Sequence, residues 1–60
     1  MMSKIEKFKK LTATMSIPKE RREPTKANLG WFFRNIRLTN GNHPNIIQAW
    51  DLALELDKEL

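Results

Sequence analysis

Apolar residues return along this chain at helical spacing in three separate stretches, with polar or helix-breaking residues between them. In the first stretch Ile5, Phe8, Leu11, Thr12 and Met15 share one face, while Lys7 and Lys10 occupy the other. That period marks an amphipathic helix. Ser3 with Glu6 three residues later is a capping-box pattern, in which a hydroxyl accepts an orphan N–H and a carboxylate reaches back. The pattern predicts a helix over residues 4–15, with Thr12 and Thr14 softening its end.

The second stretch places Leu29, Phe32, Phe33 and Ile36 at i, i+3, i+4 and i+7. Thr25 is a suitable N-cap, and the predicted helix covers residues 26–38. Gly30 lies inside it and costs up to ~1 kcal/mol relative to alanine. A glycine there is read as a place where another backbone comes close. The third stretch starts after Thr39-Asn40-Gly41-Asn42-His43. Gly41 suits the left-handed position past a helix end. Asn42 or His43 can cap the next helix, and Pro44 fits its first turn. Asn-Gly also marks tight hairpins, but the flanks do not alternate apolar and polar. The predicted helix covers residues 44–58.

Between the first two helices, residues 16–24 form a charged connector bounded by Pro18 and Pro24, neither of which can sit inside a helix. One turn of helix can start at Pro18. These elements predict an all-α fold, a small three-helix bundle or an open helical array, in one domain spanning residues 1–60.

The third helix is unusually apolar. Ile46, Ile47, Ala49, Trp50, Leu52, Ala53, Leu54, Leu56 and Leu60 cover an arc of roughly 220°, against the ~100° of an ordinary surface helix. The arc divides into an Ile47/Trp50/Leu54 side and an Ala49/Leu52/Leu56 side. Either the first two helices cover both, or one side is an interface. Tryptophan is over-represented among residues that dominate interface energies. The second helix repeats the question: opposite its core stripe stand Ala27, Trp31, Arg34 and Leu38. Aromatic residues beside arginine are enriched at protein interfaces, and such a pair can also stack a base while holding its phosphate.

Size sharpens the question. Sixty residues bury only about 60% of their unfolded surface. Small domains commonly recover stability through disulfides, metals or association. The chain has no cysteine, which excludes disulfides and thiolate metal sites and fits a reducing compartment.

Charge is uneven. Residues 1–37 hold ten Lys/Arg against three acids, a surplus of seven, while residues 38–60 hold one base against four acids. The net charge is +4. Lys7, Lys10, Lys19, Arg21, Arg22, Lys26, Arg34 and Arg37 are the candidate phosphate-contacting groups, with affinity expected to fall with salt. The competing reading pairs the basic half with Asp51, Glu55 and Glu59. A helix-turn-helix reading fails because those acids would face DNA phosphates from the last helix.

Little else carries chemistry. His43 is the single histidine and is read as a cap or turn residue. Asp51, Glu55 and Glu59 form a stripe, read as a solvated or lysine-paired face. No catalytic residue, metal ligand set or cofactor is expected. No apolar run approaches the ~18 residues that cross a membrane. Residues 1–15 faintly suggest a mitochondrial presequence but lack arginine and contain Glu6, so a cytoplasmic protein is expected.

These readings converge on a small non-enzymatic helical regulator, inhibitor or accessory subunit. It would dock on a larger protein or protein–nucleic-acid complex through Trp31, Arg34 and Leu38, or through Ile47, Trp50 and Leu54. Nonspecific nucleic-acid binding through the basic half, and a homodimer through the last helix, are the alternatives.

Overall fold

A computed structural model of the chain describes residues 3–37 and 43–60. Among these, the protein is an all-α bundle of three helices: α1 (Lys4–Ala13), α2 (Lys26–Asn35) and α3 (Pro44–Glu59). A single 3-10 turn, Lys19–Arg21, interrupts the connector after Pro18. The predicted caps form. Ser3 Oγ accepts from the Glu6 amide, Thr25 Oγ1 from the Asn28 amide, and His43 Nδ1 from the Asn45 amide. Pro44 opens α3. Asn40, Gly41 and Asn42, which carry the expected turn, lie outside the described residues.

Two helices end earlier than their apolar period suggests. α1 stops at Ala13, not at residue 15, because the amides of Thr14 and Met15 turn back three residues, to Leu11 and Thr12. Thr14 Oγ1 adds a 2.6 Å bond to the Leu11 carbonyl. α2 stops at Asn35, not at residue 38: Ile36 is extended at φ −105°, ψ 112°. Its carbonyl accepts a 3.1 Å bond from Trp50 Nε1, a contact made across the fold that no local pattern announces.

The core is made of Phe8 from α1, Leu29 and Phe32 from α2, and Ala49, Ala53 and Leu56 from α3, with Ile17 from the connector. Phe8 and Phe32 meet edge to face at 5.5 Å between centroids, and Phe33 and Trp50 extend that cluster. Thr12 is fully buried, its hydroxyl donating to the Phe8 and Lys9 carbonyls. Ile5, expected in the core stripe, is 43% exposed because it stands a turn beyond Phe8, at the rim of the packed region.

Helix direction explains the connector. Lys4 reaches Glu55 and Glu59, while Thr14 is bonded by Asn45, so α1 and α3 are antiparallel. Lys26 reaches Asp57 and Phe33 packs on Trp50, so α2 and α3 are antiparallel too. α1 and α2 therefore run parallel, and the chain must return about 15 Å between them, the length of a ten-residue helix. Residues 16–24 make that return. Ile17 and Pro24 are buried along it, Arg22 Nε donates to the Ile17 carbonyl, and Asn28 Nδ2 donates to the Glu20 and Glu23 carbonyls. The charged composition of this segment hides its apolar anchors.

Candidate functional site

The apolar arc of α3 is split by its neighbours. Ala49 and Ala53 are fully buried and Leu56 is 3% exposed. Those positions form the flank that meets the other two helices, with Leu52 half-buried beside them. Ile47 and Leu54 are 45% and 48% exposed on the opposite flank. The first two helices thus cover one side of the arc and leave the other open.

Trp50 stands between these regimes. Its ring lies 4.9 Å from Phe33 and 5.9 Å from Phe32 between centroids, and its indole N–H is bonded to the Ile36 carbonyl. It is half-buried, with Ile47 and Leu54 one helical turn away on either side. Trp31 is also half-buried, but by the connector: the Arg21 guanidinium sits over its ring at 5.6 Å. Such a pair contributes about 0.5–1 kcal/mol at an exposed site. Neither tryptophan is wholly core.

The two alternative docking sets stand apart in the fold. Ile47, Trp50 and Leu54 are brought together on α3. Trp31 lies against Arg21 near the connector, and Arg34 is exposed on the outer side of α2. Leu38 lies outside the described residues. Sequence reasoning passed over Phe33 as a site residue. Its tilted ring contact with Trp50 makes it part of the base of the α3 patch, which i, i+4 spacing alone could not separate from the core.

Gly30 departs from expectation. Beyond its own stretch of helix, no described atom lies within 4 Å of the position a Cβ would occupy, so no other described segment of this chain approaches it closely.

Charge pairing is asymmetric. Lys4 pairs with Glu55 and Glu59, Lys9 with Glu23, and Lys26 with Asp57. Among the described residues this engages four of the seven acids but only three of the eleven bases. The acidic stripe on α3 is thus largely neutralised from within, while most of the basic half is not. Of the candidate phosphate-contacting residues, Lys26 is held by Asp57, Arg21 by Trp31 and Arg22 by the Ile17 carbonyl. Lys7, Lys10, Lys19, Arg34 and Arg37 are exposed and distributed over both outer helix faces and the connector. The bonds that Lys4 donates to Glu59 and Glu55 raise its pKa above the ordinary 10.5.

A cavity of about 460 Å3 opens between the end of α1, Ile36 and the start of α3. Among the described residues that line it, His43 is the one titratable side chain. No group of three or more His, Cys, Asp or Glu side chains among the described residues could hold a metal ion. No described helix is long and apolar enough to cross a membrane.

Comparison with known proteins yields no matching family model, no matching characterised protein and no matching solved structure.

Proposed function

We propose that this protein is a non-enzymatic docking module, a regulator, inhibitor or accessory subunit that binds a larger protein through the outer flank of α3. The observation that carries this reading is the exposure of Ile47 and Leu54 on either side of half-buried Trp50, on a helix whose other flank is fully packed. Burying two such aliphatic side chains against a partner contributes about 1.5–3 kcal/mol each. A half-buried tryptophan between them is the usual composition of an interface anchor. The surplus of bases over acids would accelerate encounter with an acidic surface. A cysteine-free chain fits the reducing cytoplasm.

The test is affinity capture from nuclease-treated lysate with the parent, Ile47→Lys and Leu54→Lys. Both side chains are exposed, so the variants should fold. A discrete protein retained by the parent and weakened about tenfold or more by each variant supports the reading. Retention within about twofold in both variants removes it.

Nucleic-acid binding keeps one observation in its favour: eight of the eleven Lys/Arg side chains have no ion-pair partner among the described residues. It predicts retention of nucleic acid that is lost on nuclease treatment and falls steeply with salt.

A further inference from the structure

Gly30 has no reason among the described residues to be a glycine. It sits in the middle of α2, its φ is not in the left-handed range, and a Cβ there would meet no described atom within 4 Å beyond its own stretch of helix. Helix interiors disfavour glycine unless something approaches the backbone closely. Here nothing described of the chain itself does.

Its position is informative. Phe32 points at Phe8 of α1, and Gly30, two residues earlier, lies about 160° around the helix from it. Gly30 therefore opens on the side of the bundle away from α1. The contacts Lys26–Asp57 and Phe33–Trp50 set the antiparallel register of α2 and α3 and put Gly30 level with Ala53. Ala53 itself is fully buried toward the core, so the outer side of the seam at this level carries only the bare Gly30 backbone. Leu54 and Ile47 line its outer edge, on the flank of α3 away from the Glu55 and Glu59 contacts with α1. Phe33 and Trp50 form the apolar base one turn along. Arg34 and Arg37 stand exposed on the α2 side, without an ion-pair partner among the described residues. The missing Cβ makes a notch where a partner backbone can lie close against α2.

We infer that this notch receives an acidic amphipathic helix of a partner protein, with apolar side chains on Leu54, Trp50 and Phe33 and carboxylates on Arg34 and Arg37. The inference rests on the docking reading and specifies its occupant. An apolar stripe set in a groove is how helices are commonly recognised, and arginine matches carboxylates with paired donors. The charge balance selects an acidic helix, because the described fold engages four acids internally and leaves eight bases against three acids outside its ion pairs. A second copy of this chain is a poor occupant: Glu55, Asp57 and Glu59 of its most acidic helix are already held by Lys4 and Lys26.

The test uses the full chain, labelled for amide NMR and titrated with a synthetic peptide of about eighteen residues, leucines at i, i+3, i+4 and i+7 and glutamates between. The expected result is shifts concentrated on Gly30, Arg34, Leu54 and the Trp50 indole. Gly30→Leu should weaken binding about tenfold or more with helicity and Tm unchanged or higher, and Gly30→Ala should weaken it less. Arg34→Glu with Arg37→Glu should weaken the acidic peptide and favour a lysine version. Absent binding, shifts confined to α1, or undiminished binding by Gly30→Leu would overturn the inference. So would a Leu54-dependent doubling of mass without peptide, which assigns the notch to a second copy. If Leu54→Lys abolishes capture of a native partner while the acidic peptide fails to bind, the docking reading stands and this inference alone falls.

Discussion

Leu54 and Leu56 are the same residue two positions apart on one helix, and they do opposite work. Leu56 is 3% exposed among Phe8, Phe32 and Ala53, whereas Leu54 is 48% exposed on the far flank. Their helix propensity and transfer free energy are identical. The difference between them is therefore a difference of neighbours, and it separates the part of α3 that holds the fold from the part available to a partner. The contrast also shows why a wide apolar arc is ambiguous in a short chain. Two helices can cover one flank of a third, and a 60-residue chain has no fourth described helix to cover the other.

Identical substitutions break the comparison most directly. Leu56→Ala leaves a cavity in the core and should cost about 2–5 kcal/mol, enough to unfold much of the population in a domain this small. Leu54→Ala should cost less than about 1 kcal/mol, since most of its side chain is already in water. Chemical denaturation of both variants measures the gap. Equal losses would show that the outer flank is covered within the molecule.

The tryptophans give the next largest effect. Trp50→Phe keeps most of the stacking on Phe33 but removes the N–H bonded to the Ile36 carbonyl, and should cost about 1 kcal/mol or somewhat more. Trp31→Phe removes no such bond and weakens only the Arg21 contact, for a loss of about 0.5 kcal/mol. A larger loss at Trp31 in thermal unfolding would reverse this ranking.

Much of this architecture was legible from spacing. The three helices, the Ser3 and Thr25 caps, the place of Pro44 and the two-sided character of α3 all follow from periodicity and local backbone chemistry, which left the third cap open between Asn42 and His43. What spacing could not supply are relations made across the fold. The end of α2 is set by a bond from Trp50, and the burial of Ile17 by the need for the connector to return along two parallel helices. Ile5 obeys the helical period yet lies past the end of the core, because period specifies a face and not a depth. The candidate site was legible in the same measure. Ile47, Trp50 and Leu54 share a face by arithmetic, but the separation of Trp31 from them depends on which neighbour each ring finds.

Gly30 offers a gain in stability. A methyl group added there would meet no described atom within 4 Å beyond its own stretch of helix, and the backbone is not left-handed, so Gly30→Ala should stabilise the protein by about 0.5–1 kcal/mol. In a domain of this length that raises Tm by roughly 2–8 °C. A fall in Tm would mean that the α2 backbone at this level is less open than it stands here. The gain matters for the contrast between the two flanks, since the proposed partner helix would account for a glycine that weakens the free protein.

The smallest effect concerns the ion pairs that tie α1 to the packed side of α3. Hydrogen bonds donated to Glu59 and then to Glu55 raise the pKa of Lys4 above 10.5, while the group itself remains exposed. A lysine whose folded pKa lies above its unfolded value binds its proton more tightly when folded. Its contribution is therefore fully present below the ordinary value and is lost as pH rises through the folded value. Exposure and salt keep the contribution small at physiological ionic strength. Lys4→Met should lower Tm slightly at neutral pH and low salt. The gap between parent and variant should shrink in high salt and close as pH rises through the raised folded value, where the parent's own ammonium is lost. A gap that persists at high pH would mean that the lysine stem, packed along α3, matters more than its charge. The first turn of α1 would then be held by apolar contact and not by the carboxylates of Glu55 and Glu59.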